Sequence, residues 1–235
     1  MVSIGVRRDV TKGQVRELAR GFRDAGRRWN IHLVGGDTSE AKELVIDCAM
    51  VGFADRIVSR GGASHGDILV VTEPFGFPSS GLQILCKGAK AGTEFSRKAV
   101  ISMLEPAPNL NVGLALAPFL TSSMDSSDGL ARSLHTIAKA SGVRFELARL
   151  PVGEGVERFA ADNGLDASSL VLEGGEEYSI VGTVRKSELN KAMLAARNAG
   201  GQLFAIGTAK KGTGVVLKTG SKIKEISDVG WTHLT

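Results

Sequence analysis

The chain has 235 residues, 43% hydrophobic and 23% charged, so it falls in the globular range and can bury one large core or one core plus a smaller partial domain. Its net charge of +4 is spread among interleaved acids, with only residues 23 to 28 locally basic, which argues against a nucleic-acid partner. The first ten residues lack a signal-peptide apolar core and no apolar run reaches the roughly twenty residues of a membrane span, which disfavours secretion and membrane insertion.

Cys48 and Cys86 stand alone among apolar neighbours, a pattern expected of buried, reduced thiols in a cytoplasmic protein. Thr11 and Gln14 have the form of a capping box. Val15, Leu18, Ala19, Phe22 and Ala25 then recur on one face, so a helix is predicted over residues 12–28. Residues 31–34 read as a short buried strand that delivers Asp37 to a loop, and 44–53 as another strand. Composition turns small, polar and basic over 54–66, a candidate boundary, before a strand at 68–72.

Helices are expected at 79–89, 94–104 and 110–120, the last two separated by Pro106 and Pro108, followed by a short strand at 122–125. A further helix starts at Asp128, carries Leu130, Leu134, Ile137 and Ala138 inward, and ends at Gly142. The remainder alternates: strand 143–147, helices near 154–163 and 166–172, strand 177–184, helix 187–199, and strands 203–208 and 214–219. This order predicts an α/β (α+β) protein with mixed sheets packed with helices.

Several glycine-hinged turns carry chemistry. Gly35-Gly36-Asp37-Thr38 offers a carboxylate and a hydroxyl, the groups used by magnesium near phosphates, or else is a tight turn in which Asp37 caps its own backbone. Met124-Asp125-Ser126-Ser127-Asp128-Gly129-Leu130 places two carboxylates at a strand-to-helix junction; a cap by Ser127 or Asp128 would explain one acid and leave Asp125 unexplained. Glu173-Gly174-Gly175-Glu176-Glu177-Tyr178 is an acidic turn that either lines a ligand or is simply solvated.

Arg60-Gly61-Gly62-Ala63-Ser64-His65-Gly66-Asp67, with the loop at 73–81, offers amides and one arginine to an anion, yet matches neither the P-loop nor the dinucleotide fingerprint. The histidines His32, His65, His135 and His233 have no metal-ligand spacing. Trp231 either stacks on a flat heterocycle or docks the tail into a core.

Taken in order, VGGDT (34–38), RGGASHGD (60–67), MDSSDGL (124–130), EGGEEY (173–178) and GWTHL (230–234) resemble thiamine-monophosphate kinase. That family shares a two-domain ATP-binding fold with aminoimidazole ribonucleotide synthetase, selenophosphate synthetase and a hydrogenase maturation protein. The resemblance implies that residues 1–55 are a remnant of an N-terminal ATP-binding domain and 56–235 the C-terminal domain. It implies ATP as co-substrate, bound through Gly36, Asp37, Thr38, Arg60, Asp125 and Ser127, with Mg2+ held by Asp37, Asp125 and Asp128.

Asp128 and Ser127 would flank the transferring phosphoryl group, while Glu176, Glu177, Tyr178 and Trp231 would bind thiamine phosphate. The family also carries an upstream Gly-Asp-Asp segment, a Ser-Thr-Asp stretch and dimer-forming strands that this chain is expected to lack; a homodimer is implied where those strands are present. Phe77 and Glu177 stand where the family usually has an acid and an Asp, and Glu105 and Asn109 where basic residues often flank the Pro-x-Pro turn. The alternatives are a truncated homologue that binds a nucleotide or metabolite without catalysis, and another activity of the same superfamily.

Overall fold

The computed structural model describes residues 1–232; His233 and the end of the Gly-Trp-Thr-His-Leu motif lie outside them. The chain divides into two compact units, Met1–Asp55 and Arg56–Thr235.

In the smaller unit, β1 (Val2–Val6) leads through α1 (Lys12–Trp29) to β2 (Gly36–Glu40), which pairs in parallel with β1, and β3 (Val45–Cys48) pairs antiparallel on the other side. The capping box forms: the Gln14 N–H donates to Thr11 Oγ1 and the Thr11 N–H to Gln14 Oε1, at 3.3 and 2.9 Å. Asn30 closes α1 in the left-handed conformation, at φ 52°.

Three expectations are corrected here. Residues 31–35 form no strand, and Asp37 lies within β2 opposite Ser3 rather than in a loop. The cause is β1, whose alternating Val2, Ile4 and Val6 form a strand that draws residues 36–40 into parallel pairing; at Gly36 a Cβ would lie 2.0 Å from the Val2 carbonyl oxygen, so only glycine permits this pairing. Cys48, at the end of β3, is exposed, and so is Cys86, because apolar sequence neighbours do not settle which way a side chain faces.

Among the described residues none of the first 55 is fully buried, as a unit this small buries little surface of its own. A cavity of about 1140 Å³ lies between α1 and the sheet, ringed by Val6, Leu18, Phe22, Leu44 and Ile46; its apolar walls suit packing rather than phosphate chemistry.

The larger unit is built on a seven-stranded mixed sheet. Its elements are β4 (Ile68–Val71), α2 (Phe77–Lys87), α3 (Thr93–Leu104), α4 (Leu110–Leu116), β5 (Leu120–Asp125), α5 (Leu130–Ser141), β6 (Arg144–Leu147), α6 (Val156–Asp162), α7 (Ala167–Leu172), β7 (Ile180–Val184), α8 (Leu189–Asn198), β8 (Phe204–Lys210), β9 (Val215–Thr219) and β10 (Lys222–Glu225). The strand order is β10-β9-β6-β8-β4-β7-β5, antiparallel except for the β6–β9 pair.

Strand alternation divides the core. Leu69, Val71, Phe145, Leu147 and Ile206 meet Leu130, Leu134 and Ile137 of α5 on one face, whereas Val70 and Val184 meet Leu116 of α4 and Ala192 and Ala196 of α8 on the other. A satellite cluster joins Phe77, Val156, Phe159 and Leu170, with Phe95 stacked on Phe159 at 5.2 Å. Phe77, at a position where the resembling family usually has an acid, is therefore a core residue. Among the described residues no helix is long and apolar enough to cross a membrane.

Candidate active site

β5 ends on Asp125, which is exposed, and the turn into α5 carries the half-buried Ser127 and Asp128. The N-cap of α5 is Gly129, at φ 112° with no side-chain cap, so Ser127 and Asp128 are not used to cap the helix. The structure thus rules out the helix-cap explanation of this motif.

The acidic loop that precedes β7 lies across this turn. The Ser126 N–H donates to the Ser179 carbonyl at 3.0 Å, the Tyr178 N–H to that of Ser126 at 2.9 Å, and the Glu176 N–H to that of Ser127 at 2.8 Å. Glu176 and Tyr178 sit at φ 65° and 49°, strained for residues with side chains. That geometry also explains why β7 begins at Ile180 rather than 177, since neither residue can join a ladder. Tyr178 donates its hydroxyl to Glu176 Oε2 at 3.1 Å, while Glu177 Oε1 accepts the Gly76 N–H at 2.5 Å.

The glycines let these backbones touch. A Cβ at Gly175 would lie 2.6 Å from the Ser127 carbonyl oxygen, and one at Gly129 would lie 2.9 Å from that of Leu172. Because Gly129 also has positive φ, Gly129→Ala is expected to cost about 2–4 kcal/mol, read as a lower denaturation midpoint; an unchanged midpoint would contradict this packing.

The carboxyl-terminal segment completes the cluster: the Trp231 N–H donates to the Asp128 carbonyl at 3.0 Å. Asp125, Ser127, Asp128, Glu176, Tyr178 and Trp231, widely separated in sequence, are thereby brought to one end of the sheet. Glu177 stands apart, its carboxyl engaged by the first turn of α2. Arg60 is exposed in a segment held along β5, where the Ser123 N–H donates to the Ser59 carbonyl at 3.0 Å; among the described residues it forms no ion pair. Asp67 of the same motif is buried and structural, accepting from the Ser64 N–H at 3.0 Å and Thr121 Oγ1 at 2.8 Å. Gly36, Asp37 and Thr38 lie on β2 of the smaller unit, all three exposed.

The electrostatics are one-sided. Burial, then the adjacent Glu176, pushes the Tyr178 hydroxyl above its ordinary range, and Asp125 and Asp128 add to the effect. Burial pushes the Glu177 carboxyl up to about 8, with the Gly76 N–H opposing and Glu73 reinforcing the shift. Among the described residues no ion pair engages Asp125, Asp128 or Glu176, and no three acidic, His or Cys side chains form a ready metal cage. Asp125 and Asp128, on one turn and without an ion-pair partner among the described residues, nevertheless fit magnesium, which takes one or two protein carboxylates and completes its shell with phosphate oxygens and water.

Sequence reasoning missed three features. Ser126 Oγ is buried with no partner among the described residues, a cost usually kept at functional turns. Ser179 Oγ donates to Glu73 Oε2 at 3.2 Å, tying the acidic loop to the segment before α2. Arg132 and Asp228 pair at 2.7 Å, and no local sequence pattern signals so distant a pairing.

A family model described as "AIR synthase related protein, N-terminal domain" matches residues 1–54. Thiamine-monophosphate kinase of Nitrosopumilus maritimus (strain SCM1) is 34% identical over 233 residues, covering 99% of this chain and 74% of that protein. The enzyme of the same name from Pyrococcus abyssi (strain GE5 / Orsay) is 31% identical over 234 residues, covering 99% and 71%. The solved structure of AaThiL complexed with AMPPCP and TMP has a TM-score of 0.82 at 24% identity and covers 100% of this chain and 72% of that one, a likeness of fold. Sequence identity that runs through both units, together with the shared fold, shows that the chain belongs to the thiamine-monophosphate kinase family.

Proposed function

We propose that this chain, acting in the cytoplasm, transfers the γ-phosphoryl group of ATP to the phosphate of thiamine phosphate, yielding ADP and thiamine diphosphate. The observation that carries this reading is the turn bearing Asp125 and Asp128, to which backbone hydrogen bonds tie the Glu176 loop, with no ion pair to any of the three among the described residues. The names of the relatives support it, as does the pairing of AMPPCP with TMP in AaThiL.

In the transfer an acceptor phosphate oxygen bonds to the γ-phosphorus while the bond from that phosphorus to its bridging oxygen breaks, leaving the electron pair on ADP. Both reactants are anions, so the protein's task is alignment and neutralisation rather than covalent attack. Asp125 and Asp128 would hold magnesium, which supplies positive charge to the phosphates. Ser127 stands beside them as a hydroxyl donor to the moving group, and Arg60 supplies a guanidinium for phosphate. Glu176 and Tyr178 face the acceptor, with Glu177 setting the shape of their loop through Gly76. Trp231 offers an exposed indole for a heterocycle.

Within the smaller unit, read as part of an ATP-binding domain, Gly36 and Thr38 are proposed nucleotide-binding residues and Asp37 a further magnesium ligand. A homodimer, where the family's dimer-forming strands are present, is part of the same reading, and the exposed Val45 and Phe53 of that unit fit it.

The test is incubation of the purified chain with thiamine phosphate, ATP and magnesium chloride, with thiamine products separated by chromatography. Thiamine diphosphate should appear in step with ADP and only with magnesium. ADP release indifferent to thiamine phosphate would point to another activity of the superfamily, and nucleotide binding without any turnover to a binding homologue.

A further inference from the structure

The six residues after β10 do not trail off the sheet. Ile226 is buried in the main core, donates its N–H to the Val215 carbonyl at 3.0 Å and accepts at its own carbonyl from His135 Nε2 at 2.7 Å. Two residues on, Asp228 Oδ1 meets Arg132 Nη1 at 2.7 Å, and Val229 packs against the same core. At Gly230 a Cβ would lie 2.2 Å from the Asp128 carbonyl oxygen and 3.2 Å from Arg132 Cβ, after which the Trp231 N–H bonds that same Asp128 oxygen. The anchoring residues Asp128, Arg132 and His135 are spaced four and three apart, which places them along one side of α5 and the turn before it.

From this we infer that residues 226–231 form a strap, and that Arg132 and Asp228 are positioning residues which fix it on α5 so that Trp231 is held beside Asp128 to recognise the ring system of the acceptor. The inference rests on the kinase reading and adds to it a determinant of acceptor recognition that touches neither substrate. The physical logic is preorganisation. An indole on a free tail must be ordered when the acceptor binds, whereas one on a docked strap has lost that freedom already. Arg132 is suited to the task because its side chain is only 29% exposed, so its pair with the 48% exposed Asp228 is less screened than a fully solvated one. The strap meets the acidic turn at the Asp128 backbone carbonyl, which leaves the Asp128 carboxylate to the metal and the nucleotide, so the effect should fall mainly on the acceptor.

The experiment compares the full chain with Arg132→Ala, Asp228→Ala and the charge-swapped double variant Arg132→Asp/Asp228→Arg. Arg132→Ala and Asp228→Ala are each expected to raise the KM for thiamine phosphate about 3- to 10-fold while the KM for ATP stays within about twofold, and the swap should recover most of the loss. Independently of any substrate, the Trp231 amide should exchange its hydrogen at least several-fold faster in Arg132→Ala than in the wild type. Equal rises in both KM values, no rescue by the swap, or unchanged exchange at Trp231 would overturn the inference. Wild-type turnover, measured alongside, reports on the kinase reading by itself. If thiamine phosphate is not a substrate, the acceptor role falls with that reading, while the exchange result still decides whether the strap is held as described.

Discussion

Glu177→Gln is expected to make the chain more stable above pH 8 and to leave it nearly unchanged near pH 4. The folded state raises this carboxyl to about 8 by burying it, so folding takes up a proton wherever the pH lies between the ordinary carboxylate value and 8. Stability therefore falls as pH rises through that window, since the unfolded chain binds fewer protons there, and levels off once both states are ionised. A shift of this size corresponds to something on the order of 4–5 kcal/mol, an upper figure because loop relaxation and entering water would reduce it.

Glutamine keeps an oxygen for the Gly76 N–H and cannot ionise beside Glu73, so the variant escapes the penalty. Denaturant titrations at pH 4.5 and pH 9 measure the difference directly. A gain of about 2–4 kcal/mol at the higher pH, shrinking to under about 1 at the lower, is the expected pattern. A difference independent of pH would show that Glu177 is ionised and well solvated. An ionisable side chain kept at such cost in a turn with two strained neighbours is what a loop shaped for function rather than stability looks like.

The second large effect concerns Asp128→Asn. The backbone carbonyl that receives Trp231 is untouched, so the substitution removes charge and leaves the scaffold. If Asp128 neutralises the reacting phosphates through magnesium, kcat and kcat/KM should fall together by about 10²- to 10³-fold, the loss typical of a group that acts on transition-state charge. Stability should change little, because Asp128 is only half-buried and forms no ion pair among the described residues, so no charge partner is lost. A melting temperature little changed, with turnover lost, separates this role from a structural one. Loss of both in proportion would make Asp128 a folding residue.

How much of this was legible in advance follows from the range of the interactions involved. The capping box of α1, the 3.6-residue period of α5 and the left-handed Gly142 are local devices, and each forms where the sequence places it. The acidic turns at 125–129 and 173–178 were also legible as turns, because glycine beside carboxylates favours them, whereas residues 36–38 proved to be strand. What local pattern could not give was their convergence, which depends on hydrogen bonds between loops brought together by the order of β4, β7 and β5 in the sheet.

The same limit explains the misses. β1 shows alternation, but its parallel pairing with β2 is long-range and moved Asp37 from a loop into a strand. Nothing in Glu-Glu-Tyr distinguishes the Glu177 that turns to Gly76 from the Glu176 that receives the tyrosine hydroxyl; only the two positive φ angles do. Arg132 and Asp228 are ordinary surface residues until the strap brings them together.

The central claim, that the turn joining β5 to α5 holds a magnesium-bound triphosphate, is tested most directly by calorimetric titration of a non-hydrolysable ATP analogue into the wild type and Asp125→Asn, each with and without magnesium. Asp125 is exposed and has no ion pair among the described residues, so its loss should not disturb folding. The wild type should bind at least about tenfold more tightly with magnesium than without it, and Asp125→Asn should lose most of that gain. Equal affinities for the two chains, with the magnesium effect intact in both, would place the nucleotide elsewhere and contradict the account.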